Sequence, residues 1–312
     1  MSPALRNPSR PPDRPAKSSA AAPDRSQAPG ASKPAPGLYI VATPIGNADD
    51  ISLRALAVLR AADLVAAEDT RVTAKLFARH GIAARLTAYH DHNAERVRPA
   101  ILAKLAAGAV VALVSDAGTP LISDPGYKLV QAAVAAGSAV TALPGPSAVL
   151  TALVLSGLPP DRFLFAGFLD ARTERRRRAL AELAPVPASL VFFESAQRLA
   201  ASLADMRDQL GARDAAVGRE LTKRFEEMRR GTLSDLAAHY QAAGPPKGEV
   251  VVVVGPPRDD VEPVSVDALL RDALAHQSLR DAADAVAKAS GRPRREVYAR
   301  ALALARGRAD DA

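Results

Sequence analysis

The chain has 312 residues, 48% of them hydrophobic, with a formal net charge of +7 and no cysteine. That length allows two domains with real cores. The missing thiol excludes disulfides, cysteine nucleophiles, iron–sulfur clusters and thiolate zinc sites, which leaves a cytoplasmic enzyme as the default, and the basic surplus favours a polyanionic partner.

Residues 1–36 hold nine Pro, six Lys or Arg and two acids. Such a segment buries too little apolar surface to offset its ordering, so a disordered tail is predicted. It lacks the apolar core of a secretory signal, and its proline density works against the amphipathic helix of a transit peptide.

From Leu38 short apolar runs alternate with segments at helical spacing. "LYIVA" reads as a strand, "SLRALAVLRAA" as a helix, and "DLVAAE" as a strand. "RVTAKLFARH" is then helical, "ARLTAY" extended, and "AERVRPAILAKLAAG" a helix closed by Gly108. The strand "AVVALV", the helix "GYKLVQAAVAAG", the strand "SAVTAL" and the helix "SAVLTALVLSG" complete the series. This alternation predicts a parallel α/β sheet covered on both faces, over residues 37–157. The uncharged stretch from Leu129 to Pro160 is long enough to cross a bilayer, but Gly137, Pro144, Gly145 and Pro146 break it, and no membrane span is predicted.

After "LPPDR" the rhythm changes. Strands are read at "FLFAGF", "SLVFFE", "AAVGREL" and "GEVVVVVG", with helices at Glu174–Leu183, Gln197–Leu210 and Leu233–Gln241. A second α/β domain with a mixed sheet is expected over 158–257, then a linker at "GPPRDDVEP" and a small helical module over 262–307. Between Gly291 and Arg308 six Arg face one Glu. That basic face is either a solvated surface or a nucleic-acid contact.

In open α/β sheets ligands bind at the carboxyl ends of strands. "SDAGTPLISDPG" leaves such an end, and Asp116 with Gly118 would let bare backbone and a carboxylate approach a ligand. Asp124 is read instead as a helix cap before Pro125. "TPIGNADD", "LPGPSAV" and "AEDTR" leave neighbouring strand ends, which suggests one shared cleft. "RELTKRFEE" reads either as a solvated charge run or as part of that cleft. "HDHN" offers His90, Asp91 and His92, but with five His in the chain and no obvious third ligand, no metal is expected. Neither a G-x-G-x-x-G nor a G-x-x-x-x-G-K-[ST] fingerprint follows any predicted strand.

Taken in order, "LYIVATPIGNADDISLRAL", "AEDTR", "HDHN", "LVSDAGTPLISDPGY", "PGPSA", "GLPPDRFLFAGFL", "FFESAQRL", "RELTK" and "KGEVVVVV" resemble the bacterial small-subunit ribosomal RNA ribose methyltransferases of the tetrapyrrole methylase superfamily. "LRDAADAVAKASGRPRREVYARALAL" is similar to the C-terminal helical module of that family. The resemblance implies a homodimeric transferase that moves a methyl group from S-adenosylmethionine to the ribose 2′-oxygen of a cytidine in the decoding region of 16S ribosomal RNA. The partner is then the small ribosomal subunit, with no DNA or membrane involved. It implies cofactor contacts at Asp116, Gly118, Thr119, Ser147 and Ala148, with weaker carry-overs at Pro44, Glu194 and Gly248 with Glu249.

A ribose hydroxyl is a poor nucleophile, so a base or nearby cation would help; clustering and loop placement nominate Glu68, Asp69, Arg71 and Lys223. Arg292, Arg294, Arg295 and Arg300 are the candidate RNA contacts. Two departures from the family stand out: Ala48, where Leu is more usual, and an Arg run in "FLDARTERRRR" heavier than the resemblance implies. The alternatives are a tetrapyrrole C-methyltransferase and a non-catalytic RNA-binding protein of the same fold.

Overall fold

The computed structural model describes residues 33–257, 266–290 and 292–310. Most of the expected tail and most of the expected linker lie outside the described residues.

The first half alternates as its apolar runs dictate: β1 (Gly37–Val41), α1 (Leu53–Ala61), β2 (Leu64–Ala67), α2 (Thr70–His80), β3 (Leu86–Ala88), α3 (Ala94–Ala106), β4 (Val110–Val114), α4 (Tyr127–Ala135), β5 (Val140–Leu143) and α5 (Ala148–Ser156). The strands form one parallel sheet in the order β3-β2-β4-β1-β5, with Tyr39 of β1 opposite Ala112 of β4 and Thr141 of β5. Every residue of β2 and β4 is buried, because helices cover both faces. Alternate side chains divide accordingly. Val41, Val65 and Ala112 pack with Leu56 and Leu59 of α1 and Phe77 of α2, while Ile40, Ala66 and Leu113 pack with Ile101 of α3 and Leu129 of α4.

The second sheet contains β6 (Phe163–Phe168), β7 (Ser189–Ser195), β8 (Asp214–Arg219), β9 (Glu227–Thr232) and β10 (Glu249–Val254), in the order β6-β7-β10-β8-β9. Only the β6–β7 pair is parallel, so the sheet is mixed, as expected. The sequence reading missed β9. Its "EMRRGT" is polar because it is an edge strand with none of its residues fully buried.

Helices α6 (Thr173–Leu183), α7 (Leu199–Leu210) and α8 (Leu233–Ala243) cover one face of this sheet through Leu180, Leu203, Met206 and Leu236. The other face meets the first half: Val191, Val251 and Val253 pack against Ile45 and against Val149, Ala152 and Leu153 of α5. One face of α5 thus packs on the second sheet, while Leu150 and Val154 on its other side stay exposed.

Three further helices, α9 (Val266–His276), α10 (Leu279–Ser290) and α11 (Arg294–Asp310), share a core of Leu270, Ala283, Val286, Val297 and Ala301. No described helix is long and apolar enough to cross a membrane.

Candidate active site

Because all strands of the first sheet are parallel, its loops at the carboxyl ends converge on one edge, where hydrogen bonds stitch them together. Thr43 and Gly118 exchange both backbone bonds at 2.9 Å, the Thr43 hydroxyl donates to Ser115 O at 3.1 Å, and the Thr119 hydroxyl donates to Pro146 O at 3.2 Å. The loop after β4 is thereby fixed to those after β1 and β5. Gly118 sits at φ +79°, a conformation that L side chains rarely adopt, so glycine is required there on backbone grounds. Ser147 caps α5, its hydroxyl accepting from Leu150 N–H.

These loops and the second sheet enclose a cavity of about 500 Å³. Asp116, Gly118, Thr119, Ser147, Ala148, Glu194 and Gly248 all line it. Pro44 does not; its neighbour Ile45 does. Ile45, Val149, Leu221, Phe168 and Phe193 supply apolar lining, and Glu68, Asp116 and Asp124 form a cluster of carboxyl groups. Asp116 Oδ1 accepts from Asp69 N–H at 2.9 Å, and Asp116 N–H points to Glu68 Oε2 at 3.5 Å, which brings the loops after β2 and β4 together. Burial, then the charge of Asp116, raises the Glu68 pKa above the ordinary carboxylate value. Burial, then Glu68, pushes Asp124 up to about 6.

Asp124 was expected to cap α4. It does not: the helix N-cap is Gly126, with no side-chain bond, and the Asp124 carboxyl turns to Ser115 and the cavity. The cause is a twisted approach, since Leu121 and Ser123 both have positive φ, at 74° and 65°.

Of the four nominated catalytic residues only Glu68 lines the cavity. Asp69 caps α2 and holds Arg71 through Nε at 3.0 Å and Nη2 at 2.6 Å, and these bonds drive its pKa down to about 2. Neither is a base. Lys223 Nζ donates to Glu220 Oε1 and Glu249 Oε2, both at 2.8 Å; burial opposes its charge, but the two carboxylates outweigh it and raise its pKa. Lys223 is therefore a paired cation in a domain contact. Asn47 N–H donates to the Thr222 hydroxyl at 3.0 Å, and a Cβ on Gly46 would fall 2.4 Å from Lys223 Cγ.

Glu194 reaches the cavity wall with no free oxygen. Its buried carboxylate accepts from Ser195 N–H at 2.8 Å, the Ser202 hydroxyl at 2.5 Å and Arg198 at 2.6 Å. Arg294 and Arg300 are likewise committed: Arg294 pairs with Asp284, and Arg300 with Asp267 at 2.6 Å, tying α11 to α10 and α9. Arg292 and Arg295 remain exposed. His90 and His92 meet edge to face at 6.0 Å, and no cluster of three or more metal-ligand side chains occurs among the described residues.

The family described as Tetrapyrrole (Corrin/Porphyrin) Methylases matches residues 37–237, and the one described as RsmI C-terminal HTH domain matches residues 260–305. The ribosomal RNA small subunit methyltransferase I of Mesorhizobium japonicum is 55% identical over 271 residues, covering 86% of this chain and 92% of the relative. That of Escherichia coli O157:H7 is 46% identical, covering 85% and 94%. Among solved structures, the cobalt precorrin-4 methyltransferase CbiF aligns with a TM-score of 0.54 at 21% identity, covering 70% of this chain and 94% of its own. A diphthine synthase aligns with a TM-score of 0.57 at 18% identity, covering 70% and 89%. At those identities the two structures speak for the fold.

Proposed function

Since the chain belongs to the tetrapyrrole methylases, and is an S-adenosylmethionine-dependent methyltransferase, we propose that it methylates the ribose 2′-oxygen of a cytidine in the decoding region of 16S ribosomal RNA. The observation that carries this reading is its likeness, over most of both chains, to proteins named ribosomal RNA small subunit methyltransferase I. The basic C-terminal module favours an RNA over a tetrapyrrole substrate.

The cavity suits the cofactor. Its apolar wall can take an adenine face, bare backbone at Gly118 allows close approach, and three carboxylates balance a cationic sulfur. Asp116, Gly118, Thr119, Ser147, Ala148 and Gly248 would hold it. Bound S-adenosylmethionine supplies a methyl group open to in-line displacement by an oxygen nucleophile.

The chain's own part is positioning, exclusion of water and proton transfer. Glu68 takes the ribose proton on Oε1, the oxygen turned away from Asp116 N–H. Its raised pKa brings it nearer the working pH than an ordinary carboxylate, as general-base catalysis requires. Asp124 keeps negative charge beside it, and Asp116, itself held by Asp69 N–H, orients Glu68 through its own N–H. The enzyme acts in the cytoplasm as a homodimer.

The test is transfer of a labelled methyl group to small ribosomal subunits lacking ribose methylation, with the product nucleoside identified by mass. Label in 2′-O-methylcytidine supports the reading. Label confined to a tetrapyrrole, or absent from RNA while the cofactor still binds, refutes it.

A further inference from the structure

The arginine run on α6 divides into two kinds of residue. Arg176 is buried and paired with Asp205 at 2.5 Å, and Arg177 reaches the same carboxylate at 2.6 Å and Asp208 at 3.5 Å, both on α7. These two fasten helix to helix. Arg172, at the N-cap, and Arg178 are exposed, with no ion pair within 4 Å among the described residues, and Arg175 has only Asp170 at 3.6 Å. Arg175 and Arg178, three positions apart, lie on the outward side of α6, away from the buried Arg176 and Leu180, and Arg172 precedes the helix as its extended N-cap. Among the described residues, carboxylates close on Arg176 and Arg177, and none forms an ion pair with Arg172 or Arg178.

The same segment begins at the mouth of the cavity. Phe168, the last residue of β6, lines that cavity yet is 57% exposed. Its ring lies 5.4 Å from Phe193 in a tilted contact, and Phe193 meets Phe165 edge to face at 4.8 Å, so three touching rings run from the domain contact to the exposed Phe168. Ile122, 43% exposed, also lines the cavity. Four extended residues span at most ~14 Å, so Arg172 lies within about two nucleotide steps of Phe168. An open aromatic face followed by unpaired guanidinium groups is the chemistry that binds single-stranded nucleic acid, by base stacking and phosphate neutralisation.

We propose that the β6–α6 segment is a platform for the acceptor strand, in which Phe168 stacks a base of unpaired RNA at the cavity mouth while Arg172, Arg175 and Arg178 hold adjacent phosphates. The inference rests on the RNA reading above and adds to it a binding surface separate from the C-terminal module. It also gives the unusual arginine run a role. Stacking requires a base splayed out of any duplex, so the platform selects unpaired strands.

The test uses the full chain as wild type, Phe168→Ala, Phe168→Trp and the triple R172A/R175A/R178A. Melting temperatures check folding, calorimetry gives S-adenosylmethionine affinity, and anisotropy over a salt series gives affinity for a fluorescein-labelled single-stranded RNA oligonucleotide. KM and kcat are read on small subunits. Phe168→Ala should weaken RNA binding and raise KM about fivefold to 100-fold, with Phe168→Trp restoring both. The triple variant should lower the salt slope of RNA binding by about 2. Cofactor affinity should stay at the wild-type value in the triple variant, and in Phe168→Ala it should change less than RNA affinity does.

If cofactor affinity falls in folded Phe168→Ala while RNA binding stands, the ring belongs to the cofactor and the platform is refuted. Unchanged RNA affinity and KM in either the Phe168→Ala or the triple variant refutes it as well. A wild-type protein that binds cofactor but no RNA overturns the RNA reading itself, and the platform with it.

Discussion

Two groups of charge flank the cleft between the sheets, and they are built differently. On the side of the first sheet Glu68, Asp116 and Asp124 gather with backbone N–H groups and one hydroxyl for partners, and two of them hold protons more tightly than free carboxylates do. On the side of the second sheet Glu194 is matched with Arg198 and Lys223 with Glu220 and Glu249, and on the far face of that sheet Arg176 is matched with Asp205. A matched group fixes geometry; an unmatched one is available to a ligand or a proton.

Glu68→Gln should break that contrast most severely. It keeps the shape of the side chain and removes the proton acceptor, so kcat should drop by about 10²-fold to 10⁴-fold while S-adenosylmethionine affinity changes little, read by single-turnover methyl transfer and calorimetry. Asp205→Ala strikes the matched side. It strands a guanidinium that is 4% exposed and should cost about 3–5 kcal/mol of stability in denaturant melts. The surviving folded fraction should methylate at the normal rate.

Asp124→Asn sharpens the comparison through pH. Folding raises the pKa of Asp124 from 3.8 to about 6, so the native state takes up a proton between those values. The stability this contributes is present below 3.8 and lost as pH rises through about 6. At neutral pH the ionised group is a burden, and the neutral amide should raise the melting temperature at pH 7 but confer no gain at pH 4. Activity should move the other way, since the substitution removes charge from the cluster.

Thr222→Val should have the smallest effect. It deletes the acceptor for Asn47 N–H at the domain contact, at a cost of about 1 kcal/mol in melts.

The sequence carried most of the fold because buried parallel strands leave continuous apolar runs: "AVVALV" and "LVAA" permit little else. It hid β9, where an edge position removes the apolar signal. In the site, loop placement was enough to bring Asp116, Gly118, Thr119, Ser147 and Glu68 to one cavity. Asp124 was misjudged because the positive φ of Leu121 and Ser123, which turns it inward, has no signature in those residue types. Arg294 and Arg300 looked free because the carboxylates that engage them, Asp284 and Asp267, lie 10 and 33 positions away, and the second carboxylate on Lys223, Glu249, lies 26 positions away. Phe168 escaped notice as a strand residue; the adjoining arginine run was the one visible hint.

The most direct measurement is the single-turnover methyl-transfer rate on small subunits, followed from pH 5 to 9 in the wild type and Glu68→Gln. The unmatched carboxylates predict a wild-type rate that falls as the cluster takes up protons on the acid side, and a variant slower by about 10²-fold or more at neutral pH. A variant that keeps the wild-type rate and profile would contradict the assignment of Glu68 and place the proton acceptor elsewhere.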